Sequence, residues 1–262
     1  MSQVIRPGEL DEDRWERSRR VGWIDLDRVS ESHATVVGAG ALGNEVVKDL
    51  VLSGFRNITL VDMDRVVRSN LNRCLFFSEA DAERRSFKAE VLAQKAAVLD
   101  PQVRIETITT RVQEVDKCIF EKSDLIFGCL DNIAARLHVN AHCFFHDRPL
   151  VDGGTRGTSG KVQVVLPPDT PCLQCATNRT HSRVLEKRYS CSGSEVSYFE
   201  PKLAAEITTT SVIAAIQVRE GLKIVSGLRN ECLKHIMFYN GLKNTSEVLE
   251  VPLDEDCPVH PR

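Results

Sequence analysis

Residues 33 to 54, HATVVGAGALGNEVVKDLVLSG, constrain the fold more than any other stretch of this chain. An apolar run leads into Gly38, Gly40 and Gly43, spaced GxGxxG, and apolar residues then recur at helical intervals until Gly54. A strand that turns through glycines directly into a helix must lay that helix back on the sheet, which is how a βαβ unit begins. The alternation continues: NITLVDMD reads as a second strand, KAEVLAQKAAVL as a helix and VRIETIT and DLIFGCL as strands. NIAARLHVNAHCFFH reads as a helix ending near Asp147-Arg148-Pro149, and PLVDGG as a further buried strand. This pattern predicts an α/β fold with a Rossmann-like, mainly parallel sheet and helices on both faces, its ligands beyond the C-terminal ends of the strands.

The second half reads differently, as a smaller mixed or antiparallel part. GKVQVVLPPDTPCLQC is an alternating strand followed by a turn, and residues 178–202 are polar and irregular, read as a mobile loop over the site. Leu203 to Val225 forms a core helix; Glu206, Gln217, Arg219, Glu220 and Lys223 interrupt it too often for a membrane span. HIMFYNGLKNTSEVLEVPLDEDCPVH reads as a hairpin plus a tail.

Composition excludes some partners. With 262 residues, 42% hydrophobic, the chain is long enough for one large α/β domain, and a net charge of -3 gives no broad basic field for nucleic acid. The first twenty residues lack the apolar core of a signal peptide and carry acids that transit peptides avoid, so a cytoplasmic protein is expected. Nine scattered cysteines suggest free thiols, metal ligands or a nucleophile rather than a disulfide framework. Cys74, Cys118, Cys129 and Cys143 read as buried small hydrophobes.

The stretch VDMDRVVRSNLNR carries the chemistry. Asp62, about twenty residues beyond Gly43, stands where a ribose-binding acid stands, a placement that NAD and ATP sites share. Asn70, Arg73 and Lys88 discriminate between them: hydride transfer has no evident use for them, whereas nucleotidyl transfer needs fixed cations on the phosphates. Asp131, after the strand DLIFGCL, is either a Mg²⁺ ligand at the sheet's ligand edge or the N-cap of the helix in DNIAAR. Cys172-x-x-Cys175 and Cys257-x-x-His260 are two chelating pairs that together complete a tetrahedral zinc set, with Cys232 or water as alternatives to His260.

In order and spacing, GAGALG, LVDMD, SNLNRCLF, FKAEVL, GCLDNIAAR, PLVDGGTRG and PCLQC resemble the ubiquitin-activating-enzyme (E1-like) superfamily of ThiF/MoeB-type adenylyltransferases, from roughly residue 14 to the C-terminus. The wording of SNLNR and DGGTRGTSGKVQVVLP is similar to the catalytic subunits that activate ubiquitin-like modifiers. The resemblance implies that ATP and Mg²⁺ are used to adenylate the C-terminal glycine of a ubiquitin-like or sulfur-carrier β-grasp protein ending in Gly-Gly. Gly38, Gly40, Gly43 and Asn132 would line the ATP site, with Asp62 on the ribose, Asn70, Arg73 and Lys88 on the phosphates, and Asp131 on magnesium.

RWERSRR resembles the family's Arg-Tyr-x-Arg-Gln element with Trp15 and Ser18 substituted, which would make Arg17 a finger reaching a neighbouring subunit's ATP in a symmetric homodimer. The zinc pattern usually ends in cysteine, so His260 is a departure, while Pro258 matches. Cys191 in RYSCSGSE resembles in position the cysteine that forms a thioester with the activated carrier, and Lys187 and Arg188 would favour its thiolate; the flanking SGSE does not resemble the usual Cys-Thr. The implied layout within one compact domain is an N-terminal helical arm (1–30), an adenylation half (31–166) and a carrier-binding half (167–262), where Tyr198 and Phe199 would meet the carrier. A conjugating enzyme as a further partner is left open. The competing expectation is a sulfur-carrier adenylyltransferase, of molybdopterin or thiamine type, that stops at the acyl-adenylate.

Overall fold

The computed structural model describes residues 14–176 and 205–260. Two short helices, α1 (Glu16–Arg19) and α2 (Leu26–Glu31), lead in, and Asp25 caps α2 by accepting the Arg28 N–H. β1 (His33–Val37) is buried over its last four residues and passes through the glycines into α3 (Ala41–Ser53), which stops at Gly54 with φ 103°. β2 (Asn57–Val61), α4 (Glu79–Arg84), α5 (Lys88–Ala96), β3 (Arg104–Ile108) and α6 (Cys118–Lys122) follow. Then come β4 (Leu125–Gly128), α7 (Ile133–Phe145), β5 (Leu150–Arg156), β6 (Ser159–Val165), α8 (Ile207–Val225), β7 (Ile236–Asn240) and β8 (Thr245–Leu249).

All eight strands form one sheet in the order β3-β2-β1-β4-β5-β6-β7-β8. The pairings from β3 to β5 are parallel and those from β5 to β8 antiparallel. The strand order reverses between β1 and β4, the topological switch point where such sheets open a ligand crevice. Both faces of the parallel part are covered, as continuous apolar strands require. Ile126 of β4 packs with Phe120, Val139 and Leu150 on the α7 side. Its neighbour Phe127 faces the other layer, with Val47 and Leu50 of α3 and Val218 and Leu222 of α8.

The expected α/β class is therefore observed, and the antiparallel strands extend the same sheet. Helices α4 and α6 lie outside the sequence expectations; each is too short for a hydrophobic period to register. α8 begins at Ile207, not Leu203, because Glu206 caps it by accepting the Thr209 N–H; Leu203 and the loop 178–202 lie outside the described residues. Cys74, Cys129 and Cys143 are buried as expected, but Cys118 is only half-buried because it opens the short surface helix α6. Among the described residues no helix is long and apolar enough to cross a membrane.

Gly221, mid-α8, presses on β4: a β-carbon there would lie 2.5 Å from Phe127 Cζ. Helix propensity alone favours Gly221→Ala by about 1 kcal/mol, but overpacking of an interior costs about 1–3 kcal/mol. The contact is with a ring that is itself fully buried, so the steric effect should win. Denaturant unfolding of Gly221→Ala should show a lowered midpoint.

Candidate nucleotide site and metal centre

The three glycines have separate physical reasons. Gly38 adopts φ +106°, and a β-carbon on it would fall 2.5 Å from Cys129 O, so the glycine loop touches the loop after β4. A β-carbon on Gly43 would fall 1.9 Å from Gly38 O, so only glycine lets α3 seat on its own loop. Gly40 meets nothing within 4 Å and leaves the space over the loop open. Gly40 is also the N-cap of α3 and supplies no side-chain acceptor, so the first-turn N–H groups stay available to an anion such as a phosphate.

Asp62, just past β2, closes the loop from the side. Its Oδ2 accepts the Ala39 N–H at 2.6 Å and its Oδ1 the Asp64 N–H at 2.7 Å. Burial raises its pKa, with Lys88 and these two N–H groups opposing. Lys88, the first residue of α5, donates from Nζ to Asp64 at 2.7 Å, and its N–H donates to Asp64 O. Burial opposes the charge on Lys88, but Asp62 and Asp64 outweigh it and hold its pKa above the ordinary lysine value.

Asn70 is buried in a single 3-10 turn, Arg68–Asn70, which it stabilises by accepting the Val67 N–H at 3.0 Å. Arg73 donates from Nη1 to Ser69 O and to Asn72 Oδ1. Arg73, Lys88 and Asp62 all act electrostatically on Cys74, whose thiol burial pushes up to about 11. These three predicted residues thus converge on one shoulder of the glycine loop.

Asp131 is exposed, two residues beyond the Cys129 that touches Gly38, so it lies next to the loop across the switch point. It is not the helix cap: Asn132 takes that role by accepting the Ala135 N–H at 2.8 Å. Arg17 is not in this cluster. Trp15 packs its ring against Gly54 at the far end of α3, and Arg14 pairs with Asp100 at 2.8 Å. Thirteen helical residues separate that anchor from the glycine loop by roughly 20 Å, so Arg17 is remote from its own chain's loop. Cys191, Lys187, Arg188, Tyr198 and Phe199 lie outside the described residues.

Sequence reasoning missed three features. Asn44, fully buried, donates to Ala39 O and Gly40 O and accepts the Phe76 N–H at 3.1 Å, tying the glycine loop to the segment that carries Arg73. A polar residue immediately after GxGxxG on a buried helix face was the available signal. Asp64, the partner of Lys88, was hidden among exposed charges. The third is the buried pair of Arg136 on α7 and Asp152 on β5, joined at both carboxylate oxygens. Burial acts against the Arg136 charge and Asp152 restores it.

The second constellation is the predicted Cys172, Cys175, Cys257 and His260. All four ligand atoms lie within 4.8 Å of one another. The Cys172–Cys175 and Cys172–Cys257 sulfur pairs are 3.8 and 3.7 Å apart, and Cys175 Sγ is 3.5 Å from His260 Nε2. Tetrahedral zinc with ordinary bond lengths requires separations of about 3.8 Å between sulfurs and about 3.5 Å from sulfur to nitrogen, so the donor set fits that ion. Its surroundings fit as well. Burial pushes the Cys172 thiol up to about 12, and the buried Asn140 carboxamide favours the thiolate. Gln163 Nε2 donates to Pro171 O and Cys172 O, and the His260 ring stacks on Phe144 at 4.5 Å. Cys232 is not part of this set; its thiol turns to Leu228 O. Because β6 runs antiparallel to β5, the chain leaves β6 at the edge where β5 begins, so the centre sits opposite the nucleotide loop.

An open α/β sheet with a glycine loop, an acid just past β2 and clustered cations at its switch point defines a fold of Rossmann type. More narrowly, the chain belongs to the ThiF family, whose profile matches residues 15–259. It is 36% identical over 157 residues to SUMO-activating enzyme subunit 2 of Dictyostelium discoideum, covering 59% of this chain and 23% of that protein. It is 38% identical over 153 residues to the NEDD8-activating enzyme E1 catalytic subunit of Arabidopsis thaliana, covering 53% of this chain and 33% of that protein. The chain thus spans a third or less of these relatives. The fold resembles the crystal structure of E. coli MccB with ATP, at TM-score 0.75 and 20% identity, over 97% of this chain and 76% of that one.

If the four donors hold zinc, the purified protein should contain about one equivalent by elemental analysis. Cys257→Ser should lower that content, and chelation should lower the melting temperature of the wild type more than that of the variant.

Proposed function

We propose that this chain activates the C-terminal carboxylate of a ubiquitin-like or sulfur-carrier β-grasp protein ending in Gly-Gly, joining it to the AMP part of ATP with release of pyrophosphate. The observation that carries this reading is the convergence of Asp62, Arg73 and Lys88 beside a glycine loop whose helix N–H groups lack a side-chain cap. Charge accumulates on the α-phosphate as the carboxylate attacks, and fixed cations lower that barrier. In this reading Gly38, Gly40 and Gly43 seat the phosphates, Asp62 accepts the ribose hydroxyls, and Asn70, Arg73 and Lys88 hold the triphosphate.

Asp131 would hold Mg²⁺, which would neutralise charge on the departing pyrophosphate, and Asn132 beside it would line the ATP site. Cys172, Cys175, Cys257 and His260 would hold zinc as a structural staple between the end of β6 and the C-terminal tail. The active unit is a cytoplasmic homodimer in which Arg17 serves the neighbouring subunit's ATP; its distance from its own glycine loop supports that arrangement. After adenylation the acyl group passes to Cys191 as a thioester, and a conjugating enzyme then receives it. A second reading, a sulfur-carrier adenylyltransferase that stops at the adenylate, is favoured by the SGSE that follows Cys191, which does not resemble the family's Cys-Thr.

Carrier-dependent exchange of pyrophosphate into ATP should fall about 10²–10³-fold in Arg73→Ala and in Lys88→Ala, and exchange that survives both substitutions would remove these residues from the site. Intact mass spectrometry with Mg-ATP and small host proteins separates the two readings. A thiol-labile adduct absent from Cys191→Ala indicates the thioester relay. AMP on a small protein with no adduct on the enzyme indicates the sulfur-carrier reaction.

A further inference from the structure

In register across the antiparallel strands, Gly154 of β5 stands opposite Lys161 of β6, which stands opposite Phe238 of β7, which stands opposite Glu247 of β8. Directly opposed residues share a face of the sheet. That face is the one carrying α7, because the Arg136 guanidinium occupies the space over Gly154, 2.7 Å from where a β-carbon would lie. α8 covers the opposite face, with Gln217 against Gly153 and Ile213 against Gly160. The row therefore runs from the exposed ring of Phe238 inward to the Arg136–Asp152 pair, level with the end of β4 where Gly128 pairs with Asp152.

The two cations along this row are held differently. Arg136 takes both oxygens of Asp152. Lys161 is half-buried, and among the described residues no carboxylate lies within ion-pair distance of it. Burial and the nearby Arg136 both push its pKa below the ordinary lysine value, and Asp152 compensates only in part. Two cations, Arg136 and Lys161, thus stand around Asp152 at the ligand edge, with Asp131 of the β4 loop acting on Arg136, on the β6 side of the switch point and apart from Arg73 and Lys88.

Resting on the adenylation reading above, we propose that Lys161, flanked by Arg136, receives the free C-terminal carboxylate of the carrier as its tail crosses β6 and β5 toward ATP. In that reaction a carboxylate oxygen forms a bond to the α-phosphorus, the bond from that phosphorus to the pyrophosphate oxygen breaks, and pyrophosphate leaves with the electron pair. No proton moves. An anionic nucleophile approaching a triphosphate needs a cation that the triphosphate does not already occupy. The carboxylate loses its charge as the acyl phosphate forms, so Lys161 holds the ground state more than the transition state and governs KM more than kcat. A lysine suits that role because it offers a point charge without the two-pronged grip of arginine.

The test titrates the full chain, with Mg²⁺ and a non-hydrolysable ATP analogue, with a short synthetic peptide ending in Gly-Gly, as free acid and as C-terminal amide, by calorimetry. Wild type should prefer the acid by about tenfold or more. Lys161→Met should abolish that preference with the affinity for the nucleotide analogue unchanged, and Lys161→Arg should restore part of it. A preference retained in Lys161→Met, or absent in wild type that still binds the analogue, would overturn the assignment and leave the nucleotide site standing. Failure of wild type to bind the analogue would instead overturn the adenylation reading itself.

Discussion

The seating of α3 on the loop before it, with the Gly43 α-carbon against Gly38 O, is the contact on which the ligand edge depends. A side chain at Gly43 would push the helix away, and three consequences of closeness would go with it. The uncapped first-turn N–H groups would no longer crowd the loop's open space over Gly40. Asn44 would lose its reach to Ala39 O, Gly40 O and the Phe76 N–H. Gly43 would also lose its place beside the Cys129 side chain, on the β4 loop that bears Asp131. A buried carboxamide that has lost its partners costs about 1–3 kcal/mol on its own, so loop, helix and neighbouring segment stand or move together.

The antiparallel extension separates two tasks that the parallel sheet alone could not. Parallel strands point all their C-terminal ends to one edge, where the nucleotide loop lies. Reversing direction at β6 carries the chain back to the opposite edge, and there Cys172 and Cys175 meet Cys257 and His260 from the tail. A metal held by this donor cluster would fix the terminal segment at the edge away from the glycine loop. The extension also leaves β7 and β8, with Phe238 and Leu249 partly exposed, as a sheet face that no described helix covers on the α7 side.

How much of this was legible follows from which contacts are local. Strand and helix periods, the GxGxxG turn and the Gly54 stop depend on neighbours within a few residues, and each is found where the sequence puts it. The cysteine and histidine pairs were legible over a long separation because few residue types bind a metal so well. Asn44, Asp64 and the Arg136–Asp152 pair were not, because their partners are chosen by tertiary closeness; Asp152 finds Arg136 only once α7 lies on β5. The ambiguity at DNIAAR was decided by one residue of phase: Asn132 caps the helix and Asp131 is left exposed at the ligand edge. Helices such as α4 and α6 were illegible for want of length.

The cations of the edge differ in what already holds them. Arg73 is tied to Ser69 O and Asn72, Lys88 to Asp64, and Arg136 to Asp152. Such pre-pairing keeps the charges oriented and offsets their desolvation before a ligand arrives, at the expense of exchanging partners when it does. Lys88 makes the point sharply: burial works against its charge, and Asp62 and Asp64 beside it more than offset that. A triphosphate can replace that stabilisation with its own negative charge, so binding there need not create an unpaired buried ion. Lys161 has the opposite balance, with burial and Arg136 both working against its charge. A group in that state gains more from an arriving anion than one already satisfied, which is the physical reason that, in the proposed reaction, the β6 side of the edge should discriminate a carboxylate from its neutral amide while the β2 side would hold the nucleotide.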